Sequence, residues 1–158
     1  MESEDIHIRI GHSPDPDDAF MFHALTTGAM ETPGRHYEHV LLDIQTLNEK
    51  ALNSEYEISA VSIHSFPKII ENYALMNCGA SMGEGYGPML IGNEQLTSQE
   101  AKSRTIAVPG LDTSAYLALR LAWGEVDVEV VPFDEILPSV SEGKYDVGLI
   151  IHEGQLTW

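Results

Sequence analysis

Basic residues are scarce: 8 lysines and arginines stand against 25 aspartates and glutamates in 158 residues, a formal charge of −17 with histidines neutral. Nucleic-acid affinity rests on cations that neutralise phosphates, so this chain would repel a polyanion, and an anionic membrane surface with it. Cysteine is nearly absent. Cys78 alone can form no internal disulfide and no Cys-rich zinc site, and a single thiol fits a reducing compartment. No stretch approaches the roughly 18 uninterrupted apolar residues of a membrane span, and the opening MESEDIHIRI is acidic where a signal peptide is basic. Repeats and low-complexity tracts are lacking too. These absences predict a cytoplasmic protein that engages neither nucleic acid nor membrane.

What is present is a globular composition, 43% hydrophobic with 13 glycines, in a chain long enough to bury a core without staples. Short β-branched runs alternate with helical patterns, which predicts an α/β fold with largely parallel strands. Strands are expected at 6–10, 40–44, 58–63, 74–78, 89–92, 105–108, 126–131 and 147–151. Helices are expected at 18–27 with Asp17 as N-cap and Gly28 as stop, at 45–53, from Ser65 with Pro67 in the first turn, at 113–123, and from Asp134 to Gly143. The helix at 113–123 carries Arg120 as its only charge and is expected to be buried on more than one face. The polar segment 92–104 is the expected domain crossing, giving residues 1–98 and 99–158.

Several motifs suggest chemistry. Gly79-Ala-Ser-Met-Gly83 matches a nucleophile elbow, with Asp146 and His152 downstream, but Glu84-Gly-Tyr-Gly-Pro88 cannot form the helix that must follow. The glycines at 83, 85 and 87 lack the spacing of a phosphate loop and lead into a strand. Asp15-Pro-Asp-Asp18 lacks the turn glycine and bidentate glutamate of a calcium loop and reads as helix-start chemistry. His36 and His39 read as surface histidines. More informative is Thr105-Ile-Ala-Val-Pro-Gly-Leu-Asp-Thr-Ser-Ala115, a strand, a turn, then hydroxyl residues opening a helix. Such a helix start can hold an anion against Thr113 and Ser114, or Asp112 or Thr113 can simply cap it; spacing does not separate the two. His152 and Ser62 each close a predicted strand at the carboxyl end, where open α/β sheets place ligands. A lone histidine in such a place is more often structural than catalytic, and Ser62 shares the ambiguity.

Taken together, Gly11-His-Ser-Pro-Asp-Pro-Asp-Asp-Ala-Phe20, Asp43-Ile-Gln-Thr-Leu-Asn48, Gly83-Glu-Gly-Tyr-Gly-Pro88, Val108-Pro-Gly-Leu-Asp-Thr-Ser-Ala-Tyr116 and Gly148-Leu-Ile-Ile-His-Glu153 resemble the 1,4-dihydroxy-6-naphthoate synthase family of the futalosine route to menaquinone. The resemblance runs from about Ile8 to Trp158 with the motifs in the family's order. It implies a class II periplasmic-binding-protein-like architecture of two α/β lobes with mixed, mostly parallel sheets. It also implies a lyase acting on cyclic dehypoxanthine futalosine, a small anionic substrate, with no metal and no organic cofactor.

Carried over by residue, the family's general base falls on His152, its substrate-contacting serine on Ser62 preceded by Ala60 and Val61, and its helix start on Thr113, Ser114 and Ala115. Better-known members carry Cys and Asn where this chain has Asp15 and Asp17, and Thr where it has Ala19. An Asp17 that faced the ligand would repel a carboxylate, and Asp17→Asn should then tighten anion binding. Family members are nearly twice as long, so both lobes are expected to be incomplete, with exposed apolar surface and a tendency to self-associate. A non-catalytic solute receptor, the chorismate dehydratase of the same pathway, and a truncated remnant that binds little are the alternatives; the Ile-Ile-His-Glu motif favours the lyase.

Overall fold

The computed structural model describes residues 5–151. The chain divides into two compact units, 1–82 and 83–158. The division precedes the polar segment expected as the crossing, because the strand at 89–91 pairs with the strand at 147–150 inside the second unit.

The first unit comprises β1 (Ile6–His12), α1 (Pro16–Thr26), β2 (Arg35–Leu41), α2 (Ile44–Leu52) and β3 (Ile58–Ser59). Its sheet has the order β2-β1-β3 with both pairings parallel. Parallel neighbours need crossover helices, and α1 and α2 supply them. Pro16 occupies the first turn of α1, where its missing N–H costs nothing, and this moves the N-cap from the expected Asp17 to Asp15. β2 begins earlier than expected and ends at Leu41, because Asp43 turns the chain by accepting the Thr46 N–H at 3.0 Å and so opens α2. Arg9 ties β1 to the start of β3: its backbone N–H donates to Glu57 at 2.8 Å and its guanidinium at 2.9 Å. Those bonds hold the Glu57 carboxyl down at about 2.

The run 58–63 pairs only over β3 and then leaves the sheet through a turn into the 3₁₀ segment Phe66–Lys68, a single turn where a longer helix was expected. No strand forms at 74–78; Leu75 and Met76 are exposed there, and an unpaired apolar run lacks the ladder that would define a strand.

The second unit comprises β4 (Met89–Ile91), α3 (Ser98–Lys102), β5 (Ile106–Val108), α4 (Ser114–Trp123), β6 (Val128–Val130), α5 (Ile136–Ser141) and β7 (Val147–Ile150). Its sheet order is β4-β7-β5-β6, parallel except for the β4–β7 pair. Alternation along the strands separates two apolar layers. Ile106, Val108, Val147 and Leu149 pack with Ala115 and Leu119 of α4, while Ala107 and Ile150 pack with Ile136 and Val140 of α5. Coverage on both faces explains the nearly continuous apolar strands. One face of α4 stays open, with Leu121 79% exposed, against the expectation of burial on several faces. Among the described residues no helix is long and apolar enough to cross a membrane.

Candidate active site

In the first unit the candidate groups lie where β1 and β3 end. Gly11 has no side chain because α2 lies directly over it: a Cβ there would meet Leu47 Cδ2 at 2.7 Å and Tyr56 Cδ2 at 2.8 Å. This close approach brings Asn48, wholly buried on α2, against the segment that leaves β3. Ala60 is still tied to the sheet, its N–H donating to the Gly11 carbonyl at 2.8 Å. Two residues on, the ladder is replaced by a side chain. Ser62 N–H donates to Asn48 Oδ1 at 2.8 Å, and Asn48 Nδ2 donates to Ser62 Oγ at 3.1 Å. The Ser62 carbonyl then accepts the Ser65 N–H at 2.9 Å, which starts the turn. Ala60, Val61 and Ser62 thus form one short segment at the carboxyl end of β3, with Ser62 buried and the other two partly so.

The acidic loop before α1 is organised by hydrogen bonds to its own backbone. Asp18 is buried and accepts the Ser13 N–H at 2.6 Å; burial pushes its carboxyl up, against the pull of that N–H. Asp17 accepts from the Ser81 hydroxyl through one oxygen and from the Asp18 N–H, at 3.0 Å, through the other. Ser81 therefore serves as a tether for the 77–82 loop, and no helix follows it. Among the described residues no group of three or more His, Cys, Asp or Glu could hold a metal ion. His39 is not a surface histidine: its Nδ1 lies 3.0 Å from Nε2 of the buried His12, and Phe22 packs on both rings.

In the second unit β5 and β7 run parallel and adjacent, so their carboxyl ends share one edge. From β5 the chain turns through 109–113 into α4. Thr113 is the N-cap: its hydroxyl donates to the Gly110 carbonyl at 2.8 Å and accepts the Tyr116 N–H at 3.2 Å. Its Oγ is engaged in capping. The N–H groups of Ser114 and Ala115 are those that a helix start leaves without intrahelical acceptors, next to the positive end of the dipole. β7 ends at Ile150 on that same edge; His152, the expected base, lies outside the described residues.

Sequence reasoning overlooked Asn48 as the holder of Ser62, although a lone amide beside Leu47 on the apolar face of a helix was a signal. Ser65, expected only as a helix start, is buried, and its hydroxyl has no hydrogen-bond partner among the described residues.

A family model described as menaquinone biosynthesis matches residues 8–158. The chain belongs to that family. Similar members of the menaquinone biosynthesis family include the 1,4-dihydroxy-6-naphtoate synthase of Thermus thermophilus, 39% identical over 152 residues, covering 96% of this chain and 54% of the relative. The protein of the same name from Streptomyces coelicolor is 36% identical over 159 residues, covering 96% and 55%. This chain spans about half the length of those curated relatives. A crystal structure of a protein from Archaeoglobus fulgidus superposes with a TM-score of 0.89 at 43% identity, covering 99% of this chain and 57% of that one. A solute receptor for L-cysteine from Neisseria gonorrhoeae, at 14% identity and TM-score 0.60, shares the fold over 91% of this chain and 63% of its own. The periplasmic-binding-protein-like architecture expected from the motifs is thereby shown.

Proposed function

We propose that this member of the menaquinone biosynthesis family acts as a carbon–carbon lyase, converting cyclic dehypoxanthine futalosine to 1,4-dihydroxy-6-naphthoate in the cytoplasm. The observation that carries the reading is 39% identity to a 1,4-dihydroxy-6-naphtoate synthase across 96% of this chain. The local chemistry supports it. Each unit offers polar groups at the carboxyl ends of its parallel strands, the place where such sheets bind ligands. Ser62 in the first unit, with Ala60 and Val61 beside it, and the Ser114 and Ala115 N–H groups behind the Thr113 cap in the second suit an anionic substrate. His152 removes a proton from the carbocycle beside a carbonyl, a role for which imidazole is the usual side chain. Fragmentation then expels the ribose-derived part, and aromatisation drives the reaction.

The test is mass-spectrometric detection of 1,4-dihydroxy-6-naphthoate after incubating the substrate with this chain and, in parallel, with the product of its complete reading frame. Product is expected, and His152→Ala should abolish it while leaving substrate affinity within about twofold, as for a group that acts in the transition state. Near wild-type turnover in that variant would remove His152 from the role. The fold shared with solute receptors favours a second reading, a binding protein without turnover. Saturable binding with no product from either protein would select it. The exposed Phe20, Met82 and Leu121 support self-association of this chain.

A further inference from the structure

The two hydrogen bonds between Asn48 and Ser62 fix more than a position. A backbone N–H can only donate, so the Asn48 atom facing Ser62 N at 2.8 Å is the carbonyl oxygen. The other end of the amide is then NH₂, and at 3.1 Å from Ser62 Oγ it can only donate. The serine oxygen is the acceptor in that contact, which leaves the serine's own proton to be donated elsewhere. Burying an amide costs stability unless it is hydrogen-bonded, and this one, with no exposure at all, stands between Leu47 and Ala51 on a face that otherwise packs as aliphatic core. A leucine there would serve packing alone.

We propose that Asn48 is a positioning residue that sets the polarity of the Ser62 hydroxyl, holding it as a hydrogen-bond donor toward an anionic oxygen of the substrate. The inference rests on the reading of Ser62 as a substrate contact. It also explains the truncated β3: the Ser62 N–H that would continue the ladder is diverted to Asn48 instead.

Asn48→Asp tests it with almost no change in shape. A carboxylate accepts from both the Ser62 N–H and the Ser62 hydroxyl, so it reverses the hydroxyl and withdraws its proton from the ligand. Loss of one hydrogen bond to a charged group corresponds to roughly a 10- to 100-fold rise in KM at pH 8, with kcat little changed. Acidification supplies a signature that packing damage would not give. Once protonated, a form that burial favours, the introduced carboxyl again offers one acceptor and one donor, so KM of the variant should recover as pH is lowered through the titration of that carboxyl, whereas the unsubstituted enzyme shows no such recovery. Asn48→Leu, made alone and with Ser62→Ala, covers failure of the aspartate variant to fold. If Asn48 acts through Ser62, the double variant has the KM of Ser62→Ala alone.

These assays use the product of the complete reading frame with cyclic dehypoxanthine futalosine. An unchanged KM in Ser62→Ala would overturn the substrate-contact reading and this inference with it. A raised KM in Ser62→Ala, combined with multiplicative losses in the double variant or with no pH recovery in Asn48→Asp, overturns the role of Asn48 alone.

Discussion

Two imidazoles in the first unit fix each other's protons. His12 Nδ1 lies 2.9 Å from the Ser13 carbonyl, which can only accept, so Nδ1 carries the hydrogen and Nε2 is the acceptor. His39 Nδ1, at 3.0 Å, donates to it, and His39 Nε2 is left as a buried lone pair with no hydrogen-bond partner among the described residues. Burial first and the facing His12 second hold the His39 pKa below its ordinary value. A histidine kept neutral by the fold binds its proton more readily once unfolded, so its contribution to stability is complete above about pH 6.5 and is lost as pH falls through the depressed value. Asp18, whose carboxyl lies 3.9 Å from His12 Nδ1, has the opposite slope in a lower range: burial raises its pKa, and stability falls as pH rises through the carboxylate region. Thermal melts between about pH 7.5 and 5.5 should therefore show Tm falling with acidification. His39→Gln, which keeps a donor toward His12, should flatten that slope; an unaltered slope would place the proton uptake elsewhere.

Each unit seats a helix over a glycine of its central strands, and in the first unit this holds Asn48 of α2 against Ser62. Gly11 admits α2, and Gly148 admits α5, where a Cβ would meet Ile136 and Val140 at 2.8 Å. Neither neighbour can give way freely, since Leu47, Ile136 and Val140 are buried. Gly11→Ala and Gly148→Ala should each cost about 1–3 kcal/mol in denaturant unfolding, the usual penalty of overpacking. Gly87→Ala, which meets nothing within 4 Å, serves as the control with a negligible change. Equal stability of all three would mean the helices are not held at these distances.

The same elements show what the sequence disclosed. β5, β7 and α4 were legible because apolar runs bounded by Pro, Gly and a hydroxyl cap carry their own start and stop signals. α3 was read as linker, although Thr97 and Glu100 form a reciprocal capping box there; five residues are too short for apolar periodicity to register. The early start of β2 was hidden because an edge strand carrying Arg35, His36 and Glu38 has no apolar alternation. Ser62 was legible as a strand-end candidate. Its bidentate partner was not, because the pairing spans 14 positions and depends on α2 settling onto Gly11.

Over the whole molecule a charge of −17 acts against compaction and against association alike. Among the described residues ion pairs join Arg9 to Glu57, Lys50 to Glu55, Arg104 to Asp146 and Arg120 to Glu125, and with 8 basic residues against 25 acidic ones most of the acidic surface is unopposed. Salt weakens both kinds of interaction, but repulsion between distant carboxylates is the long-range part and is screened first. The Debye length falls from about 10 Å at 0.1 M to about 3 Å at 1 M ionic strength. Unfolding at low protein concentration should accordingly shift to higher temperature as sodium chloride rises. Screening also removes the barrier between copies whose exposed apolar side chains include Phe20 at 86%, Met82 at 88% and Leu121 at 79%. Sedimentation velocity at high protein concentration should then show a monomer in dilute salt and larger species at about 1 M, where electrostatic repulsion no longer reaches across the gap. Leu121→Lys, placed on the open face of α4, should reduce the larger species while leaving the salt-dependent rise in Tm intact. Association equally strong in dilute salt would show that repulsion between copies does not restrain the apolar surface.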